Sequence, residues 1–133
     1  MKKIGILLGL VGVLLGVGAC QKDNSKTNET GYTQITMAEA KELFMQDGTY
    51  LIVDVRTMEE YEGGHIPGAI CIPNESIGDE VRELPDKNQL IYIYCRSGNR
   101  SKQAAKKLVA LGYTNIVEFG GIIDWDGEIE TGK

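Results

Sequence analysis

Metal-ligating side chains are scarce in this chain. His65 is its only histidine, and its three cysteines, Cys20, Cys71 and Cys95, form no Cys-x-x-Cys pair. A zinc-type ligand set is therefore missing, and no metal or other cofactor is expected. Basic residues are also in deficit, with 14 Lys and Arg against 19 Asp and Glu. That balance argues against nucleic acid as a partner, and an anionic membrane surface would repel the chain. No internal repeat occurs, and no low-complexity tract beyond a glycine-rich start. The longest apolar stretch, Ile4 to Ala19, is sixteen residues, short of the roughly 20 that span a bilayer as a helix.

What is present at the start has the grammar of an export signal. Lys2 and Lys3 precede the apolar run, and Val17-Gly18-Ala19 places small residues before Cys20. Val-Gly-Ala-Cys resembles a bacterial lipoprotein box, which makes 1–19 a signal peptide and Cys20 the lipidated first residue. An uncleaved anchor is the competing reading, and Gly5, Gly9, Gly12 and Gly16 recur at a spacing that suits helix pairing in membranes. Both readings put the rest outside the cytoplasm, held at a bacterial membrane. Residues 20–31 are polar and read as a flexible tether. Residues 32–133 remain, enough for one domain with a core. From Cys20 onward 12 bases face 19 acids, a side-chain sum of −7, so attachment would rest on the lipid.

Along that domain, helical and extended patterns alternate. Thr36 and Glu39 have capping-box spacing, and Met37, Ala40, Leu43 and Phe44 share one helical face. Tyr50 to Val55 is an apolar run interrupted by Asp54, as in a strand buried on both sides. Thr57 to Glu62 reads as a short helix or turn, Ala69 to Ile72 as a strand, and Glu75 to Glu83 as a weak helix stopped at Pro85. Leu90 to Tyr94 reads as a strand, Lys102 to Leu111 as a helix ended by Gly112, and Asn115 to Phe119 as a last strand. The alternation predicts an α/β fold, a small parallel sheet with helices on both faces. Sites in such sheets gather at the carboxyl ends of strands.

Cys95-Arg96-Ser97-Gly98-Asn99-Arg100-Ser101 lies at such an end, on a polar loop that opens a helix. Amides at a helix start are unpaired and attract anions. Gly98 and Asn99 tolerate left-handed backbone, which lets successive amides curl into an anion nest. A thiol placed there should ionise more readily than a free cysteine, whose pKa is about 8.5. Cys95 is thus the candidate nucleophile. The plainer alternative is a small buried hydrophobe.

The ordered blocks Leu51-Ile52-Val53-Asp54-Val55-Arg56, Glu60-Tyr61, Gly64-His65-Ile66-Pro67-Gly68-Ala69, the Cys95 loop, Gly120-Gly121 and Trp125 resemble the single-domain rhodanese sulfurtransferases, from about Thr33 to Glu130. The resemblance implies a rhodanese-like fold and a persulfide mechanism. Cys95 would take sulfur from a small anionic donor such as thiosulfate and pass it to a thiol or cyanide, with no separate base. Arg96, Ser97, Gly98, Asn99, Arg100 and Ser101 would bind the substrate, mainly through backbone N–H groups, with Arg100 and Arg96 as cations. Two cations in the loop resemble thiosulfate users more than mercaptopyruvate users. The family's strand order puts one strand between those of Cys71 and Cys95. His65 is expected to satisfy backbone groups in a turn, Asp54 and Arg56 to form a structural pair, and Glu59 or Glu60 to lie on a helix surface within reach of Arg56. The domain is expected to be monomeric. Two alternatives stand beside this reading. One is a phosphatase or arsenate reductase, whose loops place five residues between Cys and Arg against four here. The other is a non-catalytic binding module.

Overall fold

The computed structural model describes residues 30–133. The signal segment 1–19, Cys20 and the tether up to residue 29 lie outside the described residues. Five strands form one parallel sheet: β1 (Thr33–Gln34), β2 (Leu51–Asp54), β3 (Ile70–Cys71), β4 (Ile91–Cys95) and β5 (Ile116–Gly121), in the order β1-β5-β4-β2-β3. The helices are α1 (Met37–Phe44), α2 (Met58–Gly63) and α3 (Asn99–Ala110).

Strand periodicity divides the core in two. Val53, Val55, Ile91, Ile93 and Cys95 point to one face, where Ala104, Ala105 and Leu108 of α3 cover them. Ile52, Tyr92, Tyr94 and Phe119 point to the other, against Met37 and Ala40 of α1 and Tyr61 of α2. β4 is buried along its whole length, which explains its unbroken apolar run. Thr36 with Glu39, and Thr57 with Glu60, form reciprocal capping boxes that start α1 and α2. Gly112, at φ +101°, ends α3, and the Tyr113 N–H closes on the Leu108 carbonyl at 3.0 Å, a Schellman arrangement.

Two sequence expectations are corrected, and one strand is added. Glu75 to Glu83 is not a helix. A 3₁₀ turn covers Asn74–Ser76, and an irregular chain then sends Ile77, Val81 and Leu84 into the core. Their helix-like spacing is met without a helix, because Gly78 and the two flanking prolines offer little propensity for one. α3 begins at Asn99 rather than Lys102, so Asn99, Arg100 and Ser101 belong to its first turn. β1 was not anticipated, since two polar residues carry no periodic signal. It pairs Thr33 with Val117 and Gln34 with Glu118.

Candidate active site

Cys95 is the last residue of β4. It is 1% exposed and sits where the chain turns through Arg96 and Ser97 into α3. Gly98 adopts left-handed backbone at φ +105° and serves as the N-cap. That conformation swings the Gly98 N–H onto the Cys95 sulfur, 3.0 Å away. No side chain caps this helix start, so the first-turn amides remain available to an anion. Ser101 Oγ lies 3.4 Å from Cys95 Sγ on its other side.

β5 supplies the floor. Ile93 pairs with Glu118 and Cys95 with Gly121, so β5 carries one extra residue in this stretch. A Cβ on Gly121 would stand 2.2 Å from the Arg96 carbonyl oxygen and 2.5 Å from Ser97 Cα. The loop therefore folds directly onto that glycine. Glu118 shares the face of Ile93 and points toward α3, where it is 2% exposed. It accepts hydrogen bonds from Ser101 Oγ at 2.5 Å, the Gly120 N–H at 3.0 Å and Gln34 Nε2 at 3.3 Å.

Arg100 is engaged by protein. Its two terminal nitrogens donate to the two carboxylate oxygens of Glu60, at 2.8 and 3.1 Å. Arg100 hydrogen bonding holds the Glu60 carboxyl down to about 2, aided by the Thr57 N–H and hydroxyl and opposed by burial. Glu60 thus pairs with Arg100 and not with Arg56, correcting the sequence expectation. The pair ties α2 to the first turn of α3. Arg96 is exposed, and its carbonyl accepts from the Ile123 N–H at 3.3 Å.

Arg56 instead forms the pair expected with Asp54. Its Nε lies 3.0 and 3.1 Å from the two carboxylate oxygens, and a terminal nitrogen lies 2.7 Å from one of them. That terminal nitrogen also donates to the Gly64 carbonyl, at 2.7 Å. The Tyr94 hydroxyl donates to Asp54 at 2.6 Å and accepts from the Ile66 N–H at 3.1 Å. Burial first, and then the charge of Asp54, push the Tyr94 phenol far up. This network pins the Gly64–Ile66 turn beside the sheet. In that turn His65 Nδ1 contacts the Tyr61 carbonyl at 2.7 Å, and its backbone exchanges two hydrogen bonds with Glu130. His65 thus satisfies backbone groups in a turn, as its sequence context indicated.

Cys71 does not share the site. It lies on edge strand β3, half-buried and opposite Asp54, with β2 between it and β4. The strand separation from Cys95 matches the expectation, with β3 at the edge of the sheet. Burial, and then the Asp54 charge, push the Cys71 thiol up to about 11, which disfavours the nucleophilic thiolate. Among the described residues no group of three or more His, Cys, Asp or Glu could hold a metal ion.

Cys95, its loop and Ser101 lie together in the sequence, whereas Glu118 lies apart from them on β5. Its signal was present: in Ile116-Val117-Glu118-Phe119 the alternation puts Glu118 on the side of buried Ile116. A carboxylate on a core face needs a reason.

A family model described as the rhodanese-like domain matches residues 36–128. A putative sulfur carrier protein, YrkF of Bacillus subtilis, is 35% identical over 109 residues, which cover 81% of this chain and 58% of that protein. The thiosulfate sulfurtransferase PspE of Escherichia coli is 38% identical over 73 residues, 54% of this chain and 70% of PspE. The crystal structure of a rhodanese-like domain protein from Staphylococcus aureus superposes with a TM-score of 0.67 at 36% identity, over 75% of this chain and 98% of that one. The chain thus spans less than two thirds of YrkF, and more than that of PspE.

Proposed function

Since the chain belongs to the rhodanese-like domain family, we propose that it is a sulfurtransferase whose nucleophile is Cys95, with thiosulfate as the model donor. The observation that carries this reading is the Gly98 N–H donated to a buried Cys95 sulfur at an uncapped helix start. Such a site stabilises negative charge on sulfur, first on the nucleophile and then on a persulfide. The Cys95 thiolate attacks the outer sulfur of thiosulfate. A new S–S bond forms, the old one breaks, and sulfite leaves with its electron pair. A thiol or cyanide then takes the outer sulfur from the persulfide, and the Cys95 sulfur is released. Ser97, Gly98, Asn99 and Ser101 serve through the loop and its amides. Arg96 is the solvent-facing cation for the donor, and Arg100 contributes a charge already shared with Glu60.

Loop length separates this reading from phosphoryl chemistry. Four residues between Cys95 and Arg100 form a tight ring, further closed by the Arg100–Glu60 fork. The test compares substrates on the reduced protein and on Cys95→Ser. Thiosulfate should be consumed with cyanide as acceptor, an aryl phosphate or arsenate should not, and the variant should do neither. Faster aryl phosphate hydrolysis than thiosulfate consumption would place the chain with the phosphatases. An active Cys95→Ser protein would remove the nucleophile.

The proposal extends to location. A lipid on Cys20, after removal of 1–19, would hold this acidic domain outside the cytoplasm at a bacterial membrane, since diacylation anchors where one acyl chain does not. Small sulfur anions and thiols are its proposed partners there, with the domain acting as a monomer.

A further inference from the structure

We propose that Glu118 is a positioning residue that activates Cys95 through Ser101, serving as the terminal proton acceptor of a buried Cys95–Ser101–Glu118 chain. The inference rests on the sulfurtransferase reading for its physiological use, but the chain itself is a matter of geometry. Cys95 has almost no contact with solvent, so a proton leaving its sulfur must pass to a neighbour. The sulfur has two hydrogen-bond partners among the described residues, the Gly98 N–H and the Ser101 hydroxyl. An N–H cannot accept a proton. Ser101, itself fully buried, can.

A hydroxyl carries one proton. Two acceptors compete for that of Ser101, the Gly98 carbonyl at 3.1 Å and the Glu118 carboxylate at 2.5 Å. The charged, closer acceptor wins. With its proton committed to Glu118, Ser101 turns a lone pair toward Cys95. The three groups are then ordered for transfer in one direction. Before Cys95 attacks the donor, its S–H bond breaks and the proton moves to Ser101 Oγ, while the Ser101 proton moves to Glu118 Oε2, leaving the attacking thiolate. When the acceptor removes the outer sulfur, the proton returns by the same path and Cys95 leaves as a thiol. One proton shuttles, and none is lost per cycle. On this proposal the base stands two hydrogen bonds from the sulfur.

Other charged and titratable groups face this chain. Arg100, with Glu60 on its fork, is the cation that feels the charge of Cys95. The Tyr32 phenol feels Glu118. Lys102 and Asp124 line the cleft that Glu118 borders. None of them is hydrogen-bonded to Cys95 or Ser101 in place of Glu118.

The test follows alkylation of Cys95 by iodoacetamide in the full chain, a readout that does not depend on which sulfur donor is correct, alongside thiosulfate turnover. Glu118→Gln keeps the shape and removes the base. Near neutral pH it should slow both reactions by roughly a hundredfold, and in alkali, where hydroxide takes the proton, the loss should disappear. Ser101→Ala should show the same pH-dependent loss, and the double variant should be no worse than either single one, because a broken relay cannot be broken twice. A loss constant across pH would make Glu118 merely structural and overturn the proposal, as would unchanged or faster alkylation in Glu118→Gln. Should Glu118→Gln fail to fold, the Ser101→Ala profile decides alone by the same criterion. If the wild-type protein alkylates with this pH profile but ignores thiosulfate, the donor assignment fails and the relay stands.

Discussion

Glu60 shows how much one side chain can hold. Its carboxylate completes the capping box of α2 through Thr57 and also receives the fork of Arg100 from α3. Its carboxyl is depressed from 4.5 to about 2, with Arg100 as the largest cause. A depressed acid stabilises the fold above its unfolded value, and that stabilisation is lost as pH falls through the folded one. The pair should therefore weaken between about pH 4.5 and pH 2. About a third of each partner is exposed, so solvent screening limits its net value to roughly 1 kcal/mol. Glu60→Gln should lower stability by that amount at neutral pH and flatten the acid limb of a denaturation series, with urea midpoints as the measurement. Equal losses for wild type and variant across that range would count against it. The Cys95 loop was legible in the sequence because its chemistry is local. The partner of Arg100, 40 residues away, was not, because two glutamates stood equally near on the chain and only the packing of α2 against α3 selects one.

At the level of elements, the site depends on how β5 meets the β4–α3 turn. The extra residue in β5 brings Gly121 opposite Cys95 and leaves Glu118 on the α3 face. Gly121→Ala would drive a Cβ into the Arg96 and Ser97 backbone, and backbone cannot rotate aside. The variant should lose about 1–3 kcal/mol of stability and about a hundredfold in thiosulfate turnover as the loop shifts. Gly63→Ala, whose Cβ would meet nothing within 4 Å, should match wild type in turnover. Retained turnover in Gly121→Ala would mean the loop is not seated on β5 as described. Long periodic elements such as β2, β4 and α3 were readable from apolar spacing and end signals. β1 was not, because its identity lies in its pairing with β5. Ile77, Val81 and Leu84 misled because burial at helical intervals does not require a helix.

For the molecule as a whole, the parallel sheet sets Cys95 at the carboxyl end of a central strand and Cys71 two strands away at the edge. The described residues contain no helix long and apolar enough to cross a membrane. The attachment proposed through Cys20 makes its own prediction: Cys20→Ala should leave the precursor unprocessed or release the domain. Intact mass of the membrane-extracted protein is the check, and a mature protein beginning elsewhere without lipid would refute it. The central claim is that Cys95 carries the transferred sulfur. Its most direct test is to incubate the reduced protein with thiosulfate, trap persulfides by alkylation and locate them by peptide mass. One added sulfur on Cys95, none on Cys71 and its loss on adding cyanide are the expected result. A native Cys71–Cys95 disulfide, or sulfur on Cys71 with Cys95 unmodified, would contradict it.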